Sequence, residues 1–419
     1  MKEETYFMMK LSRVKTKVII INLSILFLLL TFTTSGKINS VYRNVYLIMF
    51  LIILILKNLR YTKFKFTYYD ILWIIFSFTI FISDIYNNNK YGEGILFLIY
   101  IIIYFKFIPK YIKHIDIIGY ALILHGLFIL ISSLIFSPIQ IEGYAGIMGN
   151  ANGLGMNLMF LNLGICIVLL SSNNMNLNIA LYSILILVTI ILFFTSSRTS
   201  IISNLIVILV YYFSKSKTSN EKPLNKILKI FIYLLIIISL VIIFKDLFNR
   251  LFGLLGKKFN IYSNDITNGR MEIWLHTIKN RTILGYGHSY FLDTFGLNAH
   301  NNFISILGTN GLLSFLVYAY FWICIILRNI KLCKYRKQTC YYQIFLIFLA
   351  FHIHGFFETT FSVIGLPIQF VAFSCIGFLL NNNYSDKGLI KWKKLKYCTF
   401  LGGWILVEQK LLLWIYIEI

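Results

Sequence analysis

Charge is scarce in this 419-residue chain: only 13% of residues are Asp, Glu, Lys or Arg, and acidic side chains number 16. With 58% hydrophobic residues and a mean hydropathy of +0.76, that scarcity excludes a water-soluble globule. Proline is rarer still, at four residues, which excludes Pro-rich disorder and leaves long helices free to run. The six cysteines (Cys166, Cys324, Cys333, Cys340, Cys375, Cys398) form no Cys-x-x-Cys pair, so neither a disulfide framework nor a structural zinc site is expected. Asp-x-Asp, which binds a metal–nucleotide unit in many sugar-nucleotide transferases, is absent, as is a phosphate-binding P-loop. No nucleotide, cofactor or metal is therefore expected.

Long apolar runs take the place of all these features. A membrane-crossing helix needs about 20 apolar residues, and such runs predict twelve spans, near 18–35, 43–57, 67–86, 94–108, 115–136, 153–170, 177–195, 199–213, 227–244, 302–328, 341–361 and 363–380. The expected fold is an all-α polytopic membrane protein with one larger loop, 245–301, between the ninth and tenth spans. Pro109, Pro138 and Pro223 fall at or between predicted span ends, and Pro367 inside one. The first run lacks a small-residue cleavage site, so it reads as a retained anchor.

The net charge of +23 would suggest nucleic-acid binding in a soluble protein. Here it tracks topology, because positive side chains resist translocation. Lys2, Lys10, Arg13, Lys15 and Lys17 lie before the first span, and Lys57, Arg60, Lys63, Lys65, Lys106, Lys110, Lys113, Lys215, Lys217, Lys222, Lys226, Lys229, Arg328, Lys331, Lys334, Arg336 and Lys337 follow even-numbered spans. Lys387, Lys391, Lys393, Lys394 and Lys396 complete that side, while short loops after odd-numbered spans hold just Lys37, Arg43, Lys90 and Arg198. The expected location is the cell membrane, multi-pass, with both termini cytoplasmic and no nucleic-acid partner.

The loop 245–301 departs from this bias, with Lys245, Arg250, Lys257, Lys258, Arg270, Lys279 and Arg281 on the outer side. Long loops escape the positive-inside rule, and a loop of this length is usually functional. Its pattern predicts a short amphipathic helix over 270–280 followed by the turn Gly285-Tyr286-Gly287. The end of the chain, 397–419, reads as an interfacial helix rich in Trp404, Trp414 and Tyr416, or as irregular structure.

Three groups of residues could carry chemistry. Arg198, in Thr195-Ser196-Ser197-Arg198-Thr199-Ser200, places a fork of donors at a helix start, which suits a phosphate; the plainer alternative is a snorkelling arginine that ends a span. In Asn268-Gly269-Arg270-Met271-Glu272-Ile273-Trp274 and His300-Asn301-Asn302, Arg270 opens the amphipathic helix, Trp274 can seat in the interface or stack on a sugar, and His300 is a candidate general base. A solvated histidine beside a capping asparagine explains the last equally well. His354 and Glu358, four apart with His352 nearby, read as an intramembrane ionisable pair, either orienting a reaction centre or purely structural; His-x-His-Gly does not match a His-Glu-x-x-His zinc motif. Asp70, Asp84, Glu93, Asp116 and Glu142 sit at span ends and read as solvated boundary carboxylates.

The order Gly149-Asn150-Ala151-Asn152-Gly153-Leu154-Gly155, Ser197-Arg198-Thr199, Gly269-Arg270 with Trp274, Gly285-Tyr286-Gly287, His300-Asn301 and Gly311 resembles the O-antigen polymerase and ligase family, whose polymerase members also build capsular polysaccharides. The likeness covers about 145–315, with the spans before it (1–144) and after it (316–396) similar only in being hydrophobic, and the tail 397–419 matching nothing. Thr282-Ile283-Leu284 stands where the family usually has Pro-Leu, and Ser314 replaces a second glycine, departures that favour polymerase over ligase. The resemblance implies a membrane glycosyltransferase working on polyprenyl-pyrophosphate-linked oligosaccharides at the outer face, alongside a flippase and a chain-length regulator. It implies that Arg198 and Arg270 hold the donor pyrophosphate, that His300 acts at the acceptor hydroxyl, and that Trp274, Asn152, Asn301, His354 and Glu358 line the substrate site. A flippase or transporter of lipid-linked sugars is the competing class; it would want charges along the midplane of several spans, whereas most here lie at span ends.

Overall fold

The computed structural model describes residues 2–58, 66–88, 92–112, 114–139, 143–218, 269–362 and 366–381. The predicted span 227–244, the first part of the large loop (245–268), Glu142 and the tail 397–419 lie outside the described residues. Among the described residues every regular element is helical: α1 (Lys2–Thr34), α2 (Ser40–Asn58), α3 (Tyr68–Tyr86), α4 (Glu93–Tyr111), α5 (Ile115–Phe136), α6 (Ala151–Ser171), α7 (Met175–Thr195), α8 (Arg198–Thr218), α9 (Arg270–Lys279), α10 (Tyr290–Phe295), α11 (Asn302–Arg336), α12 (Thr339–Phe357) and α13 (Pro367–Asn381). Nine of these are long and apolar enough to cross a membrane, and α2 and α13 contribute shorter apolar stretches. The protein is an all-α multi-pass membrane protein.

Helix α6 is the most enclosed of the long helices, wrapped by α5, α7, α8 and α12. Small residues make that possible. A Cβ on Gly126 of α5 would stand 2.5 Å from Leu161 Cβ, and one on Gly164 would stand 2.8 Å from the Gly119 carbonyl oxygen, so α5 and α6 approach backbone to backbone as membrane helices do at small residues. Polar side chains inside the bundle find partners on neighbouring helices: Thr31 Oγ1 lies 3.0 Å from His125 Nε2, Asn162 Nδ2 donates to Asn204 Oδ1 at 2.9 Å, and Gln343 Nε2 donates to Asp116 Oδ1 at 2.6 Å. With no water in the hydrocarbon to serve them, such groups must pair within the protein.

Several span ends differ from the sequence reading. Pro367 is not inside a span but at the first position of α13, where its fixed φ suits a helix start and its missing N–H costs nothing. Pro109 falls in the last turn of α4, as expected of a span end, and the turns before it, Ile101–Phe107, widen to a π-helix that accommodates the lost hydrogen bond. The span predicted to reach 361 stops at Phe357, because Glu358 is extended (φ −141°, ψ 147°).

The carboxylates at span ends are also not all solvated. Asp70 is fully buried and pairs with Lys106 at 2.6 Å, while Thr67 N and Oγ1 donate to the same oxygen at 2.6 and 2.8 Å in a capping box. Asp84 is buried and accepts from Gly94 N at 3.3 Å, and Asp116 accepts from Ser171 Oγ at 2.5 Å. Removing one member of a buried pair leaves the other charge without compensation and costs about 3–5 kcal/mol. Lys106→Ala should lower the unfolding free energy in detergent by about that amount; a melting curve matching the wild type would contradict a structural role for the pair.

Candidate functional site

One end of the bundle collects the end of α7, the starts of α6, α8, α11 and α13, and the end of α12; α9 and α10 lie across it. Two arginines open helices there. Ser196 takes a left-handed conformation (φ 52°) between α7 and α8, and Ser197 Oγ donates to Ser200 Oγ at 3.0 Å, so α8 begins at Arg198. Gly155 lets α6 reach this hinge: a Cβ there would sit 2.6 Å from Ser197 Cβ. Arg198 stands at the positive end of the α8 dipole, close enough to Arg270 for the two cations to repel each other.

Arg270 is the first residue of α9, after Gly269 in a left-handed turn (φ 81°). Its Nη1 donates to the Phe357 carbonyl at 2.5 Å, one of the unsatisfied acceptors at the C-terminus of α12, where a cation also meets the helix dipole favourably. Its Nη2 lies 3.2 Å from Glu358 Oε1. The other oxygen, Glu358 Oε2, lies 2.8 Å from His300 Nδ1. Arg270, Glu358 and His300 are partly enclosed, with side chains 24%, 20% and 32% exposed.

His300 is a non-glycine residue in the left-handed region (φ 48°), a conformation that costs about 1–2 kcal/mol. What holds it there is the start of α11. Asn301 Oδ1 accepts from Phe303 N at 2.9 Å and Ile304 N at 3.1 Å, an N-cap, while its Nδ2 donates to the Phe356 carbonyl at 3.0 Å. Asn302 is buried and bonds the chain leaving α12, accepting from Thr360 N at 2.7 Å and Phe361 N at 3.0 Å and donating to Thr360 Oγ1 at 2.8 Å. Gly355 permits the contact, because a Cβ there would collide with Asn302 Nδ2 at 2.2 Å.

The structure therefore brings Arg270, His300, Asn301 and Glu358 to one place, with Arg198 within electrostatic reach of Arg270. Glu358 joins it by leaving the helix: its carboxylate turns to His300 and Arg270, while the His354 side chain stays buried on α12 with its ring edge-on to Phe160 at 6.2 Å. Trp274 supports the site from behind. Its indole N–H donates to the Ala299 carbonyl at 2.7 Å, and its ring packs on a small core of Ile273, Tyr290, Phe291, Ala299 and Ile304. Asn152 is exposed on the first turn of α6, its backbone N–H capped by Asn150 Oδ1 at 2.9 Å.

The glycine turn and Gly311 prove to be two halves of one feature. Helix α11 breaks at Gly311 (φ 88°, ψ 178°), and the segment 282–287 fills the break: Tyr286 N and Gly287 N donate to the carbonyls of Gly308 and Thr309 at 2.9 and 3.0 Å, and Leu312 N donates to Thr282 O at 2.9 Å. Gly285 and Gly311 face each other so closely that a Cβ on either would stand 2.3 Å from the other segment's backbone. Ser83 Oγ and Asn87 Nδ2 of α3 and its cap clamp the Leu284 carbonyl at 2.6 and 3.2 Å. This lock fixes the loop carrying α10 against α11, which begins two residues after His300.

Burial alone would raise the Glu358 pKa, but the hydrogen bond to His300 and the charge of Arg270 outweigh it and hold the carboxyl below its ordinary value of 4.5. A depressed carboxylate stabilises the fold fully above its unfolded pKa, and the contribution fades as pH falls through the folded value. The melting-temperature advantage of the wild type over Glu358→Gln should therefore hold down to about pH 4.5 and be lost as pH falls further; a difference independent of pH would contradict the ion-pair geometry.

Residues 183–319 match the family model described as O-Antigen ligase, a stretch from within α7 to within α11 that contains Arg198, Arg270, Trp274, His300 and Gly311. No curated protein matches the sequence. The match supports the O-antigen polymerase/ligase family, which comprises membrane glycosyltransferase-like enzymes acting on lipid-linked polysaccharide substrates. Glu358 lies beyond the matched residues.

Proposed function

We propose that this protein polymerises lipid-linked oligosaccharide repeat units of a capsular polysaccharide or O-antigen at the outer face of the cell membrane. The growing chain moves from its polyprenyl pyrophosphate to a hydroxyl of the next lipid-linked repeat. The observation that carries this reading is Arg270 sharing the Glu358 carboxylate with His300, with Arg198, at the N-terminus of α8, within electrostatic reach of Arg270. Two like charges brought together repel, and an anion placed between them relieves the repulsion, so the pair suits a diphosphate. Each charge-assisted hydrogen bond to it contributes about 1.5–3 kcal/mol.

The reaction breaks the bond between the donor's anomeric carbon and a pyrophosphate oxygen and forms a glycosidic bond to the acceptor oxygen. Negative charge builds on the departing polyprenyl pyrophosphate, where the guanidiniums and the N-terminus of α8 meet it. The acceptor hydroxyl gives its proton to His300. The distribution of charge supports an orientation. Lys106, Lys110, Lys215, Arg328, Lys334, Arg336 and Lys337 lie near the far ends of their helices from this site, which by the positive-inside rule favours a site on the outer face and both termini in the cytoplasm.

A ligase that moves finished polymer onto a lipid or other acceptor is the second reading, favoured by the description of the matched family. One set of variants separates the two. Arg198→Ala, Arg270→Ala and His300→Ala should each insert normally yet lower turnover by roughly 100-fold or more, and cells carrying them should accumulate single lipid-linked repeats. Accumulated long lipid-linked polymer would mark a ligase, and normal polymer in all three variants would contradict both.

A further inference from the structure

Glu358 serves two masters. Its Oε2 is 2.8 Å from His300 Nδ1 and its Oε1 is 3.2 Å from Arg270 Nη2, so a single carboxylate bridges the base and a cation of the donor site. The carboxylate is held on a fixed piece of backbone. Glu358 N donates to the His354 carbonyl at 2.9 Å, ending α12, and two residues later Thr360 N and Phe361 N are pinned to Asn302. Arg270 has a second anchor that does not involve Glu358, the Phe357 carbonyl at 2.5 Å, so its Nη2 can change partners without the side chain losing its place.

We propose that Glu358 is a positioning residue whose hold on His300 tightens when the donor binds: its Oε2 keeps the Nδ1 proton of His300 and leaves Nε2 to face the acceptor hydroxyl, and its Oε1 gives up Arg270 to the donor's diphosphate. The inference rests on the proposed donor site. An imidazole that donates from Nδ1 to a carboxylate has a lone pair on Nε2, the nitrogen a general base needs. Before the donor arrives, Arg270 draws part of the carboxylate's charge; a diphosphate on Arg270 compensates that guanidinium and leaves the carboxylate to His300. Proton-accepting strength at His300 thus rises once a leaving group is in place, which orders the two substrates. The charged and titratable groups facing Glu358 are His300 at the start of α11, Arg270 at the start of α9 and, through space, His354 on α12.

This arrangement predicts opposite changes in binding and turnover, which a merely structural carboxylate would not produce. The full-length protein in lipid nanodiscs is titrated with inorganic pyrophosphate by calorimetry, and its turnover of lipid-linked repeats is followed against pH. Glu358→Gln removes a competing anion, so pyrophosphate should bind roughly 3- to 10-fold tighter, while kcat falls roughly 10- to 100-fold with no rise in the donor KM. The acid limb of the kcat–pH profile should move to lower pH, because the imidazolium loses its anionic neighbour. Glu358→Asp should keep the wild-type pyrophosphate affinity and recover part of kcat; this arm also carries the test if Glu358→Gln fails to insert. Wild-type protein that binds pyrophosphate, together with a Glu358→Gln variant whose affinity and acid limb do not move, overturns the inference alone. Wild-type protein with no affinity for pyrophosphate overturns the donor site and the inference with it.

Discussion

Helices that begin or end inside a bundle leave amides and carbonyls that must be served within the protein, and here two such ends serve each other. The chain leaving α12 offers the carbonyls of Phe356 and Phe357 and the amides of Thr360 and Phe361; Asn301, Asn302 and Arg270 take them all. That exchange fixes the left-handed His300, sets Glu358 between His300 and Arg270, and orients α9 from its first residue. The separate lock between Gly285 and Gly311 holds the loop connecting α9 to α11. The chemistry of the candidate site is therefore a by-product of satisfying backbone at helix ends: the residues that cap the helices are, or adjoin, those that would meet the substrate.

The helices themselves were largely legible in the sequence, because hydropathy reads the lipid environment directly, and Arg198, Arg270 and His300 each stand at or just before an expected helix start. Their meeting was not legible, since the segments that carry them are far apart in the chain. Glu358 was noticed for the wrong neighbour: spacing of four from His354 implies a shared helix face only while the helix continues, and it stops one residue earlier. Gly355, which admits Asn302 against the end of α12, was the available signal. Asp70 shows the same limit. A carboxylate at a span end looks identical in sequence whether water or a buried lysine compensates it, and here it is Lys106. The glycines of the outer turn carried a family likeness without a mechanism; their reason is steric, two backbones that pass where no Cβ fits.

Electrostatics gives the protein two kinds of positive charge with separate duties. Most lysines and arginines of the described helices sit far from the candidate site, as the proposed orientation requires. Arg198 and Arg270 sit at helix N-termini within electrostatic reach of each other, and Arg270 shares a carboxylate with His300. In the proposed reaction these few groups supply the stabilisation of the leaving group, while the acceptor is activated by a base whose readiness depends on the donor being present.

The central claim is that this one chain joins lipid-linked repeats by displacing a polyprenyl pyrophosphate. Purified protein in liposomes, supplied only with a synthetic polyprenyl-pyrophosphate-linked repeat unit, tests it most directly. The account predicts a ladder of lipid-linked oligomers growing by whole repeats, with one polyprenyl pyrophosphate released per bond formed. Unchanged single repeats under conditions where the protein binds the substrate would contradict it.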